Sequence, residues 1–265
     1  KPRLWSSIIF SNIDFLGVPD VGIWLFAGLM LASLLTTILG TLAGTGGGLV
    51  LLATMAMVFP PAILVPVHTV VQLAVGTSRA VIMWRYILRA TVLPFLIGSA
   101  IGAIVGAQIF ISLPGGLLQG AIGLFILLLV WLPRFTRLGP EKHRFAALGF
   151  VATFLGMFVS ATGTLVAPFV ASASPDRRNH SATLSVLMAV VHTMKLIAFG
   201  LLGVGVAAYT PLIVGMIGTA VLGSWVGLKL LHRMSERVFR IIFQVLVTCL
   251  AVRLLWVGAV ETGIF

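Results

Sequence analysis

Gly40-Thr41-Leu42-Ala43-Gly44-Thr45-Gly46-Gly47-Gly48 interrupts a long apolar region of this chain. An apolar run of 22–43 leads into it and a shorter one, 47–59, leaves it. Each glycine in a helix interior costs about 1 kcal/mol relative to alanine, so three in succession predict a break. A helix that restarts after such a break exposes N–H groups without intrahelical acceptors. Those donors, together with the helix dipole, favour an anion. Thr45 adds a hydroxyl at the same place. A helix kink or a tight packing point is the competing explanation of the same glycines. No Gly-Lys-Ser/Thr ending follows, so this is not a nucleotide phosphate loop.

The surrounding composition identifies the solvent as lipid. The chain has 265 residues, 60% hydrophobic and only 9% charged, with a mean hydropathy of +1.17. A soluble domain needs more charge to cover its surface. Backbone groups in lipid must bond within their own element, which leaves helices or closed barrels. The runs are continuous rather than alternating, so the expected fold is an all-α integral membrane bundle. Runs at 22–43, 47–59, 62–84, 91–111, 116–132, 145–161, 163–174, 181–199, 209–228 and 241–259 give about ten membrane segments, or eight if the short runs are re-entrant. The first run lacks a small-residue cleavage site and does not read as a signal peptide.

A net charge of +11 does not indicate nucleic acid, because the basic residues fall between apolar runs. Arg85 and Arg89 occupy one connection, and Arg134, Arg137, Lys142 and Arg144 a second. Arg177 and Arg178 occupy a third, and Lys229, Arg233, Arg237 and Arg240 a fourth. The positive-inside rule places all four in the cytoplasm. The connections near 59–61, 112–115 and 200–208 carry no charge and are expected outside.

The chain also repeats itself. A shift of 116 residues sets Gly156 on Gly40, Gly163 on Gly47, Leu165 on Leu49 and Val166 on Val50. The same shift sets Val191 on Val75, Thr193 on Thr77, Lys195 on Arg79 and Gly218 on Gly102. Repeats over 22–132 and 145–260, each with five segments, enter the membrane in opposite orientations. Such inverted repeats recur in secondary transporters, with the substrate site at the midplane where the repeats meet. Glycines four apart (Gly98, Gly102 and Gly106; Gly116 and Gly120; Gly223 and Gly227) are expected at close helix contacts.

Candidate binding residues follow. Around the first break they are Thr45, Gly46, Gly47 and Gly48, and around its repeat Thr162, Gly163 and Thr164. Arg79 and Lys195 are cations within apolar runs, where charge is costly and faces a cavity, a partner or, by snorkelling, the headgroups. No carboxylate lies mid-run to pair with them. Thr77, Ser78 and Thr193 line the same cavity or bond back to their own helices. His68 and Gln72 share a helix face with Arg79, as His192 does with Lys195, and a histidine titrating near neutrality makes a proton relay candidate. Arg253 is a further mid-run cation. The single Cys249 allows no intrachain disulfide, and neither a metal cluster nor a catalytic constellation is present in the sequence. No enzymatic activity and no cofactor are expected. These readings favour a secondary carrier for a small anion; a passive anion channel and a non-catalytic membrane scaffold remain the alternatives.

Gly40 to Gly48, the prolines that follow at 60–66, and Gly76-Thr77-Ser78 resemble the TauE/SafE (TSUP) family of sulfite exporters. The weaker copy near 156–168, ending at Pro168, resembles that family's second half, although Thr162-Gly163-Thr164 replaces a full glycine triplet. The resemblance implies export of sulfite or an organosulfonate across a bacterial inner membrane, without catalysis. The expected partners are the anion and the bilayer, with a homodimer allowed and nucleic acid excluded.

Overall fold

The computed structural model describes residues 14–43, 47–114, 141–159, 162–174 and 176–230, with isolated positions at 116–124 and 245–262. Among the described residues there is no strand. Among the described residues eight α-helices carry the fold: α1 Ile23–Ala43, α2 Gly47–Met55, α3 Pro61–Ile82, α4 Arg89–Ser112, α5 Glu141–Val159, α6 Gly163–Ala173, α7 Arg177–Leu201 and α8 Thr210–Leu230. Within the described residues, five stretches are long and apolar enough to cross a membrane: Ile23–Thr41, Pro61–Ile82, Arg89–Phe110, Arg178–Leu201 and Ala207–Gly227. His143–Phe158 forms a shorter apolar helix. The expected segments 116–132 and 241–259 lie largely outside the described residues, as do Arg134, Arg137, Arg233, Arg237, Arg240 and Arg253.

Local chemistry sets the helix ends. Pro61 opens α3, a position where the missing N–H costs nothing. The Asp176 carboxylate accepts from the Arg178 amide at 2.8 Å and caps α7. This cap starts α7 at Arg177, earlier than the apolar run at 181 implied. α7 ends in a Schellman turn, in which Val204 N–H donates to Phe199 C=O at 2.9 Å and Gly203 N–H to Gly200 C=O at 3.1 Å. Gly203 has φ +73°, the left-handed conformation that this turn requires. At the break between α1 and α2, Gly40 and Gly47 approach backbone to backbone. A Cβ on Gly40 would stand 2.8 Å from the Gly47 Cα, so neither position accommodates a side chain.

Residue size, more than polarity, gives the outer helices their two faces. On α4, Leu93, Ile97, Ile101 and Ile104 are exposed, as expected of a lipid-facing stripe. Gly98, Gly102 and Gly106 lie against Ala146, Phe150 and Phe154 in turn, so α4 and α5 run parallel in close contact. Gly215, Gly223 and Gly227 lie against Met30, Leu34 and Thr41 in the same order, so α8 and α1 are also parallel. Gly116 and Gly120 meet Gly258. α3 and α7 form the centre. Gly76 meets the backbone of Ser185 and Ala189, while His68 lies within electrostatic reach of Lys195. Residues ascending on α3 therefore meet residues descending on α7, and the two helices are antiparallel.

The two ends of the bundle differ in charge. Arg178 donates from Nη1 to the Tyr86 hydroxyl at 3.3 Å and stacks over its ring. Leu88 N–H donates to Thr183 Oγ1 at 2.9 Å across the same end. Arg85 and Arg89 cover Trp84 there. The helix alignments above bring Arg144 and Lys229 to this end as well. The opposite end is aromatic and holds no basic side chain among the described residues, with Phe59 edge-on to Tyr209, Phe110 edge-on to Phe199, and Asp14 and Asp20 within electrostatic reach of Tyr209. The described basic residues of those connections, Arg85, Arg89, Arg144, Arg178 and Lys229, thus share one end; the other Lys and Arg side chains of 133–144 and 229–240 lie outside the described residues.

Candidate functional site

The central crossing of α3 and α7 gathers buried titratable side chains in an interior whose other buried polar groups are mostly Ser and Thr hydroxyls. Lys195 and His68 are 0% exposed and His192 is 4% exposed. His192 interacts electrostatically with both Lys195 and His68, and His68 with Lys195, so the three form one cluster drawn from two helices. Three residues, about one helical turn, separate His192 from Lys195 on α7.

Each break contributes to this cluster. From the first, Gly48 C=O accepts from His68 Nε2 at 2.8 Å, and the Gln72 amide lies directly over the Gly48 Cα. Gly48 lacks a side chain because Gln72 occupies the space where one would be. From the second, Thr162 is 1% exposed and precedes α6. A Cβ on Gly156 would stand 3.6 Å from Lys195 Cδ and 3.7 Å from Thr162 Cγ2, so Gly156, Thr162 and the Lys195 stem are neighbours. Gly163 in turn faces Met188, with Sδ 3.5 Å from where its Cβ would be. Three buried atoms in this region have no hydrogen-bond partner among the described residues: His68 Nδ1, His192 Nδ1 and Thr162 Oγ1. Buried polar atoms are ordinarily paired, so three together mark a place suited to a polar guest.

Other predicted residues lie elsewhere. Thr45 and Gly46 lie outside the described residues, as does the side chain of Thr164. Arg79 is eleven residues from His68 on α3, about 16 Å along the axis, and donates to Thr41 Oγ1 at 3.4 Å. It stands on the basic side of the cluster rather than within it. Ser78 Oγ donates to Val75 C=O at 2.9 Å, the local back-bonding alternative. Thr77 is exposed and Thr193 half-buried. Thr153 was not singled out from the sequence. It is fully buried, its Oγ1 has no partner among the described residues, and it precedes Gly156 by one turn. The available signal was the Thr-x-x-Gly spacing that α1 repeats as Thr37 and Gly40. Among the described residues no three His, Cys, Asp or Glu side chains group to hold a metal.

Apolar spans around a polar interior define an integral membrane protein. Residues 29–254 match the family described as sulfite exporter TauE/SafE. The chain belongs to that family, which is one of transporters and not of enzymes. No curated protein and no solved structure matches it.

Proposed function

We propose that this protein is a secondary carrier exporting sulfite, or an organosulfonate, across a bacterial inner membrane by alternating access. The observation that carries the proposal is the buried meeting of Lys195 with His68 and His192, beside Gly48 from one break and Thr162 from the other. A charge within a membrane interior is costly and marks a solute path by default. Sulfite and sulfonates offer a compact negative group rich in acceptors, which matches an ammonium, a hydroxyl and imidazole nitrogens that become donors on protonation. Arg79 with Thr41, on the basic side, is a second cationic station leading to the centre.

Two inverted repeats supply the moving parts in this reading. Ala43, Gly47 and Pro61, which bound α1, α2 and α3, have Val159, Gly163 and Arg177 as counterparts 116 residues later, and these bound α5, α6 and α7. The equivalent helices α3 and α7 cross antiparallel, and each half exchanges a partner: α1 lies along α8 as α5 lies along α4. These relations support a pseudo-two-fold axis through the α3–α7 crossing. Rocking of the halves about it exposes the cluster to one side at a time, and a solute drives the change only through differing affinity for the two states.

Purified protein in liposomes tests this. Saturable sulfite efflux accelerated by sulfite on the far side is expected. A non-saturating single-channel current would replace the carrier with a channel, and absence of flux for sulfite and every sulfonate tried would remove the transport reading of the cluster.

A further inference from the structure

The His68–Gly48 hydrogen bond has a chemical consequence for whatever occupies the cluster. A backbone carbonyl only accepts, so at 2.8 Å from the Gly48 oxygen His68 Nε2 must hold a hydrogen. In the neutral ring the other nitrogen, Nδ1, is then a lone pair. That atom is buried and has no hydrogen-bond partner among the described residues. A lone pair repels an oxyanion, and only protonation turns Nδ1 into a donor. The backbone at the first break thus fixes the tautomer that disfavours an anion until a proton arrives.

The neighbours make that proton conditional. Among the described residues, the titratable groups within reach of His68 are His192 and Lys195, both on α7. The described parts of α1 and α2 contain none, and those of α5 and α8 lie at the basic end. Positive charge on His68 beside Lys195 is unfavourable unless a negative group is present. The anion needs the proton for a donor, and the proton needs the anion as a counter-charge. Linkage makes the two effects equal.

We propose that His68 is the proton-coupling residue of this carrier, taking up one proton at Nδ1 with each oxyanion bound, because the Gly48 carbonyl holds Nε2–H in place. The inference rests on the cluster being the anion site. His192 acts as a neighbouring donor and is not the coupled group.

The test uses methanesulfonate and sulfate, whose charge does not change around neutrality, and the full chain in detergent. Titration calorimetry in two buffers of different ionisation enthalpy, at about pH 6 and about pH 8, reports protons bound per anion. Wild type is expected to take up close to one proton at the higher pH and to bind roughly tenfold more weakly for each pH unit of alkalinisation. H68Q retains a donor for the Gly48 carbonyl and is expected to bind without proton uptake, with affinity flat in pH. H192Q is expected to keep the uptake. Should H68Q not fold, imidazole nitrogen-15 spectra of H192Q decide the matter: on adding methanesulfonate, one buried ring that holds its hydrogen on Nε2 gains a second on Nδ1. Anion binding without proton uptake in wild type, or uptake that survives H68Q and is lost in H192Q, would overturn the proposal while leaving the carrier reading intact. Failure of sulfite, sulfate and methanesulfonate all to bind at either pH would overturn both.

Discussion

Glycine-to-alanine substitutions at two positions separate packing from propensity in this bundle. At Gly223 on α8 the new Cβ would stand 2.6 Å from the Leu34 carbonyl oxygen on α1. Ordinary contact begins at 3.4 Å. Backbone, not a pliable side chain, must therefore yield by about 0.8 Å along the α1–α8 contact. Overpacking of this kind costs about 1–3 kcal/mol, while alanine returns about 1 kcal/mol of helix propensity. The net for G223A is a destabilisation of up to about 2 kcal/mol. At Gly156 on α5 the new methyl meets Val191 Cγ1 at 3.4 Å, Lys195 Cδ at 3.6 Å and Thr162 Cγ2 at 3.7 Å, all ordinary contacts. G156A thus keeps the propensity gain and is stabilised by up to about 1 kcal/mol. Thermal unfolding in a single detergent, read by helical circular dichroism, should rank G156A at or above wild type and wild type above G223A. A G223A protein that melts above G156A would refute the claim that backbone contact at the glycine stripe holds α8 on α1.

Replacing Lys195 by Met should weaken sulfite binding on the order of 100-fold, since a unit charge near an anion at intermediate dielectric contributes several kcal/mol before desolvation is subtracted; R79M should leave that affinity within about threefold and slow transport instead, as measured by equilibrium binding and liposome flux. Gly48→Ala displaces the Gln72 amide from above the break and should abolish flux while the protein remains folded by size-exclusion chromatography. Thr183→Val leaves the Leu88 N–H without its acceptor and should cost about 1–3 kcal/mol in denaturant unfolding. With Cys249 replaced by Ser, a cysteine at Arg85 should react with impermeant maleimide only in inside-out vesicles and one at Gly205 only in right-side-out vesicles; the reverse would invert the topology.

Within the described residues the helix positions were legible to within a few residues, because lipid allows one backbone solution and the glycine breaks interrupt it; the Asp176 cap, which starts α7 four residues before the apolar run, was not read. The close contacts at Gly98, Gly102 and Gly106 were legible too, since spacing alone puts small residues on one face. The composition of the cluster was not. Arg79 and Lys195 are equivalent under the 116-residue shift, yet Arg79 reaches Thr41 and Lys195 meets two histidines. That difference depends on where α3 crosses α7, which no local pattern encodes. Ser78 and Ser185 show a related limit. A hydroxyl in an apolar run can face a solute or its own helix, and both bond to their own helices, to Val75 and Ser181.

Because the sidedness of α4 rests on bulk, its two stripes should drift at unequal rates over evolutionary time. Leu93, Ile97, Ile101 and Ile104 can be exchanged for almost any aliphatic side chain, since a fluid acyl environment does not register shape. Gly98 and Gly102 have no substitute, since even one methyl strikes the main chain of a neighbouring span. A deep mutational scan of this helix should therefore show a tolerant and a forbidding edge, although hydropathy assigns both the same character.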